Sequence, residues 1–368
     1  MSAAADFEAG RTAFLESRFD DAEAALGRSL AADPDHFDAK VYLARVHDGQ
    51  GRLEDAIALY RDALMARSDH AAVHLLLAQS LLAAGRYAEG WAEYEWRYKG
   101  AGGQPFPNIE APLWQGEALD GRTILVIGEQ GYGDVIQFAR FLPRVKAAGG
   151  RVALGVSQPL FTLSESLAGA DHRFHDWHHA GRFDTYCPLS SLPGALGITA
   201  ADLPGPIPYV AADSRRQARW ARRLANNVRR RIGICWAGRP NHPNDRYRSV
   251  PFDILRRYLP ADANVFSLQK GEAAGAIAGS GVIDLSARLH DFAETAAVIA
   301  QLDLVVSVDT SLAHLAGAMG KPVHVLLPYV PDWRWGRTVD SSPWYPSARL
   351  FRQAAPGDWS GSLAAAFA

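Results

Sequence analysis

The chain has 368 residues, 48% of them apolar, and a formal net charge of −2. That length suits two or three domains with a sizeable core, and the near-neutral balance excludes nucleic acid or an anionic membrane as the main partner. Only Cys187 and Cys235 occur, without the spacing of a zinc site or a disulfide framework; no apolar run reaches the about 18 residues that span a bilayer.

The opening MSAAADFEAGRTAF lacks a basic region followed by an apolar core, so no signal peptide is read and the cytoplasm is the expected compartment. The first hundred residues then repeat. RFDDAEAAL begins at Arg18, RLEDAIALY at Arg52 and RYAEGWAEY at Arg86, a step of 34 residues each time. Gly10, Ala44 and Ala78 keep that step, as do Ala22, Ala56 and Gly90. Small residues on a fixed step mark where paired helices approach closely. Residues 1–98 therefore resemble three tetratricopeptide repeats, although Ser68 stands where Pro34 closes the first. Such stacked pairs form a concave groove suited to a peptide; a packing shoulder or dimer surface is the alternative. Trp91, Tyr94, Trp96 and Tyr98 load the last helix with aromatics and are read as a domain interface. Residues 99–121, rich in Gly and Pro, are read as a linker.

From Thr123 onward, apolar strands alternate with helical patterns. TILVIGE, RVALGVS and FDTYCPL are read as strands of one lobe (122–210); RIGICWAG, NVFSLQKG, LDLVVSVD and PVHVLLP as strands of a second (211–368). Buried strands alternating with helices predict parallel sheets covered on both faces. Ligands of such sheets sit at the carboxyl ends of the strands.

Several motifs fall at such strand ends. GEQGYGDVIQFARFLP follows TILVI, with Gly131, Gly133 and Gln137 around Asp134. Asp134 is open to two readings, a cap of the following helix or a general base. The GxxGxG spacing, without a second acid about 20 residues on, excludes a dinucleotide ribose hook. LVVSVDTSLAHLAGAMG takes the chain from strand to helix at Asp309, so Thr310, Ser311 and His314 lie where helix N–H groups can hold an anion. Arg248 and Lys270 follow two further strands as candidate phosphate partners. Trp236 and Gly238 follow RIGIC and are candidates to line the nucleotide site, with Trp236 equally suited to the core. The histidines of DHRFHDWHHAG (His172, His175, His178, His179) have no standard metal-ligand spacing and are placed in a loop. Trp333, Trp335, Trp344 and Tyr345 are read as bracing the chain after its last strand, with sugar stacking as the alternative.

GEQGYGDVIQFARFLP, WAGRPNHPNDRYRSVP and SVDTSLAHLAGAMGKPV, in this order, resemble the heptosyltransferase-type (family 9) glycosyltransferases, which have the GT-B fold of two Rossmann-like lobes. The fusion to repeats is similar to bacterial repeat–glycosyltransferases such as flagellin glycosyltransferases. The resemblance implies an α-helical repeat domain followed by an α/β GT-B domain, with the first lobe on the acceptor side and the second on the nucleotide-sugar side. It implies Asp134 as base, and donor binding by Arg248, Lys270, Asp309, Thr310, Ser311, His314, Trp236 and Gly238. Ser311 replaces a glycine usual in the family. The implied reaction is metal-independent transfer of a sugar, with inversion, to an acceptor recruited by the repeats, a protein; no cofactor beyond the nucleotide-sugar is expected. The rival readings are a non-catalytic scaffold and a nucleotide-sugar epimerase.

Overall fold

The computed structural model describes residues 2–99, 109–225 and 229–368. Residues 100–108 of the predicted linker and 226–228 of the basic stretch lie outside the described residues. The chain divides into two compact units. One is residues 1–108 with 198–201 and 329–339; the other holds the rest.

The first unit is built of helix pairs: α1 (Ala3–Leu15) with α2 (Phe19–Ala32), α3 (Phe37–Gly49) with α4 (Leu53–Ala66), and α5 (Ala71–Ala83) with α6 (Tyr87–Tyr94). The small residues act as the repeat predicts. A Cβ at Gly10 would lie 2.6 Å from Leu26 Cγ, and one at Gly90 2.7 Å from Leu82 Cγ. Polar positions also keep the step of 34. His36 and His70 cap α3 and α5, each Nδ1 accepting the backbone N–H three residues on, at 3.2 and 3.4 Å. Arg52 reaches back to Glu23, and Arg86 to Glu54, so each repeat is tied to its predecessor. The turn within each pair needs a left-handed residue. Gly51 and Gly85 supply it with φ of 78° and 75°, whereas the first repeat places Ser17 there at φ 60°.

Two excursions complete this unit. Trp91 is buried, and its Nε1–H donates to Ile198 O at 3.0 Å. Its ring and that of Tyr94 meet Trp333 edge-on at 5.6 and 6.5 Å. Tyr329 stacks on Phe19 at 5.8 Å, and Arg337 grips both carboxylate oxygens of Asp48 at 2.8 and 3.0 Å. Trp96 takes a different place, stacked at 3.8 Å on the buried His74.

The second unit contains two sheets among the described residues, parallel throughout. In chain order the first lobe has β1 (Thr123–Ile127), α7 (Tyr132–Phe138), α8 (Leu142–Ala147), β2 (Arg151–Gly155), α9 (Gln158–Ser164), β3 (His172–Phe174), β4 (Thr185–Pro188) and α10 (Leu192–Ala195). Its strand order is β3-β2-β1-β4. The second lobe has α11 (Ser214–Arg223), β5 (Arg231–Cys235), α12 (Asp245–Arg248), α13 (Phe252–Leu255), β6 (Asn264–Ser267), β7 (Ile283–Asp284), α14 (Phe292–Ile299), β8 (Leu304–Val308), α15 (Ser311–Ala318), β9 (Val323–Leu327), β10 (Ala348–Arg352) and α16 (Ser360–Phe367). Its order is β10-β9-β8-β5-β6-β7. Strands β1, β5, β8 and β9 are apolar and almost wholly buried, as sheets covered on both faces require. The basic helix α11 is held by Glu294 of α14, whose buried carboxylate accepts from Arg216, Arg219 and the Trp220 indole. No helix among the described residues is long and apolar enough to cross a membrane.

Two expectations are corrected here. Residues 109–121 are not free linker: Trp114 is buried, its N–H donates to Tyr186 O at 2.8 Å, and Leu113 bridges the edge of β4. An apolar Leu–Trp pair beside an open sheet edge is drawn in despite the surrounding glycines and prolines. The histidine-rich stretch is not all loop, because His172–Phe174 form β3 against β2.

Candidate active site

Each sheet reverses its winding once. In the first the switch lies between β1 and β4; in the second, between β5 and β8. Loops leaving such strands part to opposite faces and open a crevice. The loops after β1, β5 and β8 carry the sequence motifs, so chain topology itself assembles the site.

After β8, Thr310 caps α15, its Oγ1 accepting from Leu312 N at 3.3 Å and lying 3.0 Å from Ser307 Oγ. Ser311 is the first residue of the helix, which aims its N-terminal N–H groups and dipole into the crevice. His314, one turn further, is only 5% exposed. Its Nε2 lies 4.0 Å from Asp309 Oδ1 and its Nδ1 2.9 Å from the Tyr345 hydroxyl.

Arg248 comes from α12, after β5. Its Nη1 donates to Asp309 O at 2.9 Å and its Nε to Asp245 Oδ1 at 3.2 Å, which fixes a cation beside the start of α15. Gly238 is explained by this pair, since a Cβ there would lie 2.4 Å from Arg248 Nη2 and 2.3 Å from Asp245 Oδ1. Gln269, after β6, ties the loop down. Its Oε1 accepts from the backbone N–H of Trp236 and Ala237, both at 3.0 Å, and its Nε2 donates to Ala237 O at 3.0 Å.

The first lobe presents the other wall. Gly131 is the N-cap of α7, and its N–H donates to Asp134 Oδ2 at 3.1 Å, so Asp134 is not the N-cap itself but the first-turn carboxylate that reaches back to it. Asp134 is half-buried. Helices α7 and α15 face each other: a Cβ on Gly133 would lie 2.7 Å from His314 Cδ2 and 3.5 Å from Ser311 Cα. Tyr132 and Phe292 meet at 5.1 Å beside them. Glycine at 133 thus lets the two helix starts touch. Next to it, at the switch in the first sheet, Ser190 donates to the Glu129 carboxylate.

The structure brings together Gly131, Gly133, Asp134, Gly238, Arg248, Asp309, Thr310, Ser311 and His314. It separates three others. Trp236 is buried in the second-lobe core against Phe252, at 4.8 Å, and contributes backbone rather than a nucleotide-stacking ring. Gln137, on α7, is fully buried in the lobe. Lys270 follows β6, two strands from β8, and its Nζ donates to Ser286 O at 2.7 Å. Sequence reasoning missed Asp245, Gln269 and Arg140, and gave Tyr345 only as a brace or a sugar-stacking ring. Asp245 had a local signal, three residues before Arg248 on one helix face; the rest act across long sequence separations.

Among the described residues no three His, Cys, Asp or Glu side chains converge on a point. His172 Nε2 pairs with His179 O at 2.6 Å, His178 with Asp176 at 2.8 Å, and His175 packs on Phe161. Trp333, Trp335, Trp344 and Tyr345 are all buried, so they brace the chain and offer no open face to a sugar. Burial pushes the Cys235 thiol up to about 11.

Comparison with known proteins follows the same division. Residues 7–72 and 49–102 match the tetratricopeptide repeat, and residues 265–355 match glycosyltransferase family 9 (heptosyltransferase). Protein FlbA of Caulobacter vibrioides is 30% identical over 373 residues, covering 91% of this chain. The chain spans 61% of that protein's length. Among solved structures, a family 9 glycosyl transferase from Veillonella parvula is 10% identical with a TM-score of 0.49, covering 67% of this chain and 94% of its own. The E. coli ADP-heptose LPS heptosyltransferase II is 15% identical with a TM-score of 0.47, covering 66% and 96%. The chain thus joins segments that match the tetratricopeptide repeat and glycosyltransferase family 9, in an architecture of helix pairs followed by two parallel α/β sheets.

Proposed function

We propose that the chain transfers a sugar from a nucleotide-sugar donor to an acceptor held at the first lobe (122–210), with the donor on the second (211–368). One observation carries this reading. The start of α15, with Asp309, Thr310, Ser311 and His314, lies at the switch of the second sheet, inside the family 9 match, and faces the Gly131–Asp134 turn of the first.

In this reading the acceptor hydroxyl attacks the anomeric carbon. The bond from that carbon to the diphosphate oxygen breaks, and Asp134 takes the hydroxyl proton as it is lost. The leaving diphosphate carries away the electron pair and meets the α15 N-terminus and the Arg248 guanidinium. These fixed positive groups serve where other transferases use a divalent metal, so transfer is independent of added metal. A single displacement with one base inverts the anomeric centre. The repeats recruit the acceptor, a protein.

The test is thermal stabilisation by a panel of nucleoside diphosphates and nucleotide-sugars in the presence of chelator. A ligand at a hundred times its Kd adds about 2.7 kcal/mol to the folded state, several degrees in Tm for a domain of this size. One nucleotide series that stabilises the protein supports the reading and names the donor. Stabilisation by none, or only with added metal, refutes it and favours a non-catalytic scaffold.

A further inference from the structure

His314 sits on the donor side of the crevice, and one side chain far along the chain decides how it can act. Tyr345 is fully buried. Its ring lies on Gly317, where a Cβ would come within 2.4 Å of Tyr345 Cγ, and its hydroxyl lies 2.9 Å from His314 Nδ1. Behind it stands Arg140, a buried cation from the first lobe. Arg140 donates to Gln137 O and Trp344 O at 2.9 Å, to Tyr209 Oη at 3.0 Å and to Pro204 O at 3.1 Å. Its guanidinium carbon stands 4.9 Å from the centre of the Tyr345 ring.

A hydroxyl can donate as well as accept, and the Tyr345 proton can be given to His314 Nδ1, 2.9 Å away. A neutral imidazole has one donor and one acceptor nitrogen, and the partner of one fixes the role of the other. With Nδ1 accepting from Tyr345, the ring proton belongs on Nε2. The Asp309 carboxylate, 4.0 Å from Nε2, favours the same arrangement.

We propose that Tyr345 is a positioning residue that holds neutral His314 with its proton on Nε2, so that the ring presents an N–H donor to an anionic oxygen of the bound donor. The role toward the donor rests on the transferase reading above; the tautomer does not. Arg140, Tyr345 and His314 form one line from the first lobe to the donor wall, a link that no local motif encodes.

The experiment is a long-range proton–nitrogen spectrum of 15N-histidine-labelled protein at pH 8, with His314 assigned by its loss in His314→Gln. The expected result is a pyrrole-type Nε2 and a pyridine-type Nδ1. Tyr345→Phe should move both nitrogens toward intermediate shifts as the tautomers mix, with the rest of the spectrum retained. A pyrrole-type Nδ1 in the native protein overturns the proposal, as does an unchanged tautomer in Tyr345→Phe. Adding ADP, GDP, UDP or CDP then separates the two readings. If one of them shifts the Nε2 signal, the donor role is supported; if the tautomer is as assigned but none does, the positioning stands and the donor reading fails. In a transfer assay Tyr345→Phe should lower kcat about three- to tenfold, the effect of one hydrogen bond, with the acceptor KM unchanged.

Discussion

Asp134 makes an observed hydrogen bond and has a proposed catalytic role, and substitution can separate the two. Its Oδ2 accepts the Gly131 N–H at 3.1 Å, which stabilises the first turn of α7. In the proposed reaction the same carboxylate takes a proton. Asp134→Asn keeps an acceptor oxygen and loses only the charge facing the helix N-terminus, a cost of about 0.3–1 kcal/mol. Asp134→Ala also loses the hydrogen bond, about 1 kcal/mol more. In a domain of this size these costs lower Tm by about 1–6 °C. Loss of a general base is larger, about a hundred- to ten-thousandfold in rate, or about 3–5 kcal/mol of barrier. The two variants should therefore differ in stability and fail alike in transfer. The assay pairs Tm and nucleotide affinity with sugar transferred to the acceptor, read by mass spectrometry. An Asn variant within tenfold of native rate, with its donor affinity intact, would refute the base and leave Asp134 a first-turn carboxylate that reaches back to the cap.

Other outcomes follow from the same geometry. Ser17→Gly should stabilise the repeats by up to about 1 kcal/mol in denaturant titration, because it relieves the φ of 60° at a position that is glycine in the next two repeats. Glu294→Ala removes the shared acceptor of Arg216, Arg219 and Trp220 and should cost about 1–3 kcal/mol, mainly because the buried Trp220 N–H is left unpaired, seen as a lower urea midpoint. Cys235 should resist iodoacetamide at pH 8 until the protein is denatured. The unfolded thiol ionises near 9.0, while the folded one keeps its proton to about 11. Stability should therefore decline as pH rises from 9.0 toward 11. At the acid end, burial holds His47 and His324 below their ordinary 6.5. The unfolded chain then binds protons that the folded one refuses, and stability should fall as pH drops through 6.5, followed by near-UV circular dichroism.

Much of this architecture was legible because its signals are local. The step of 34 gave the helix pairs, and continuous apolar runs gave the buried parallel strands. Strand-to-helix turns at Asp134 and Asp309 gave the two walls of the site, since strand ends are where such folds bind. The failures share one cause. Trp236 and Gln137 stand beside the right residues in sequence, but both side chains are buried, which proximity along the chain does not reveal. Leu113 and Trp114 looked like linker because a sheet edge, not a local pattern, draws them in. Arg140 and Tyr345 lie 205 positions apart in sequence and meet only once both lobes exist.

The repeats raise a last question that their sequence could not pose. The face formed by the first helix of each pair is partly filled by the chain's own residues 329–339. Arg337 holds Asp48 of α3, and the side chain of Val330 lies 3.4 Å from where a Cβ on Gly49 would stand. A peptide at that end would have to displace these residues. What stays accessible on the same face is the row from α1 and α3: Phe7, Phe14 and Tyr42, half-buried and edge-on at 5.7–5.8 Å, with Arg45 over Phe14 at 4.5 Å. If the repeats recruit the acceptor, it must bind there, through apolar contact and an anionic group facing Arg45. Arg45→Glu with Tyr42→Ala should then raise the acceptor KM at least tenfold and leave nucleotide affinity unchanged. Arg337→Gln serves as the contrast. It should loosen residues 329–339 to limited proteolysis, lower stability by about 1.5–3 kcal/mol, and widen the accessible face. An acceptor KM that ignores Arg45 and Tyr42 but responds to Arg337 would place recognition on the occupied end instead.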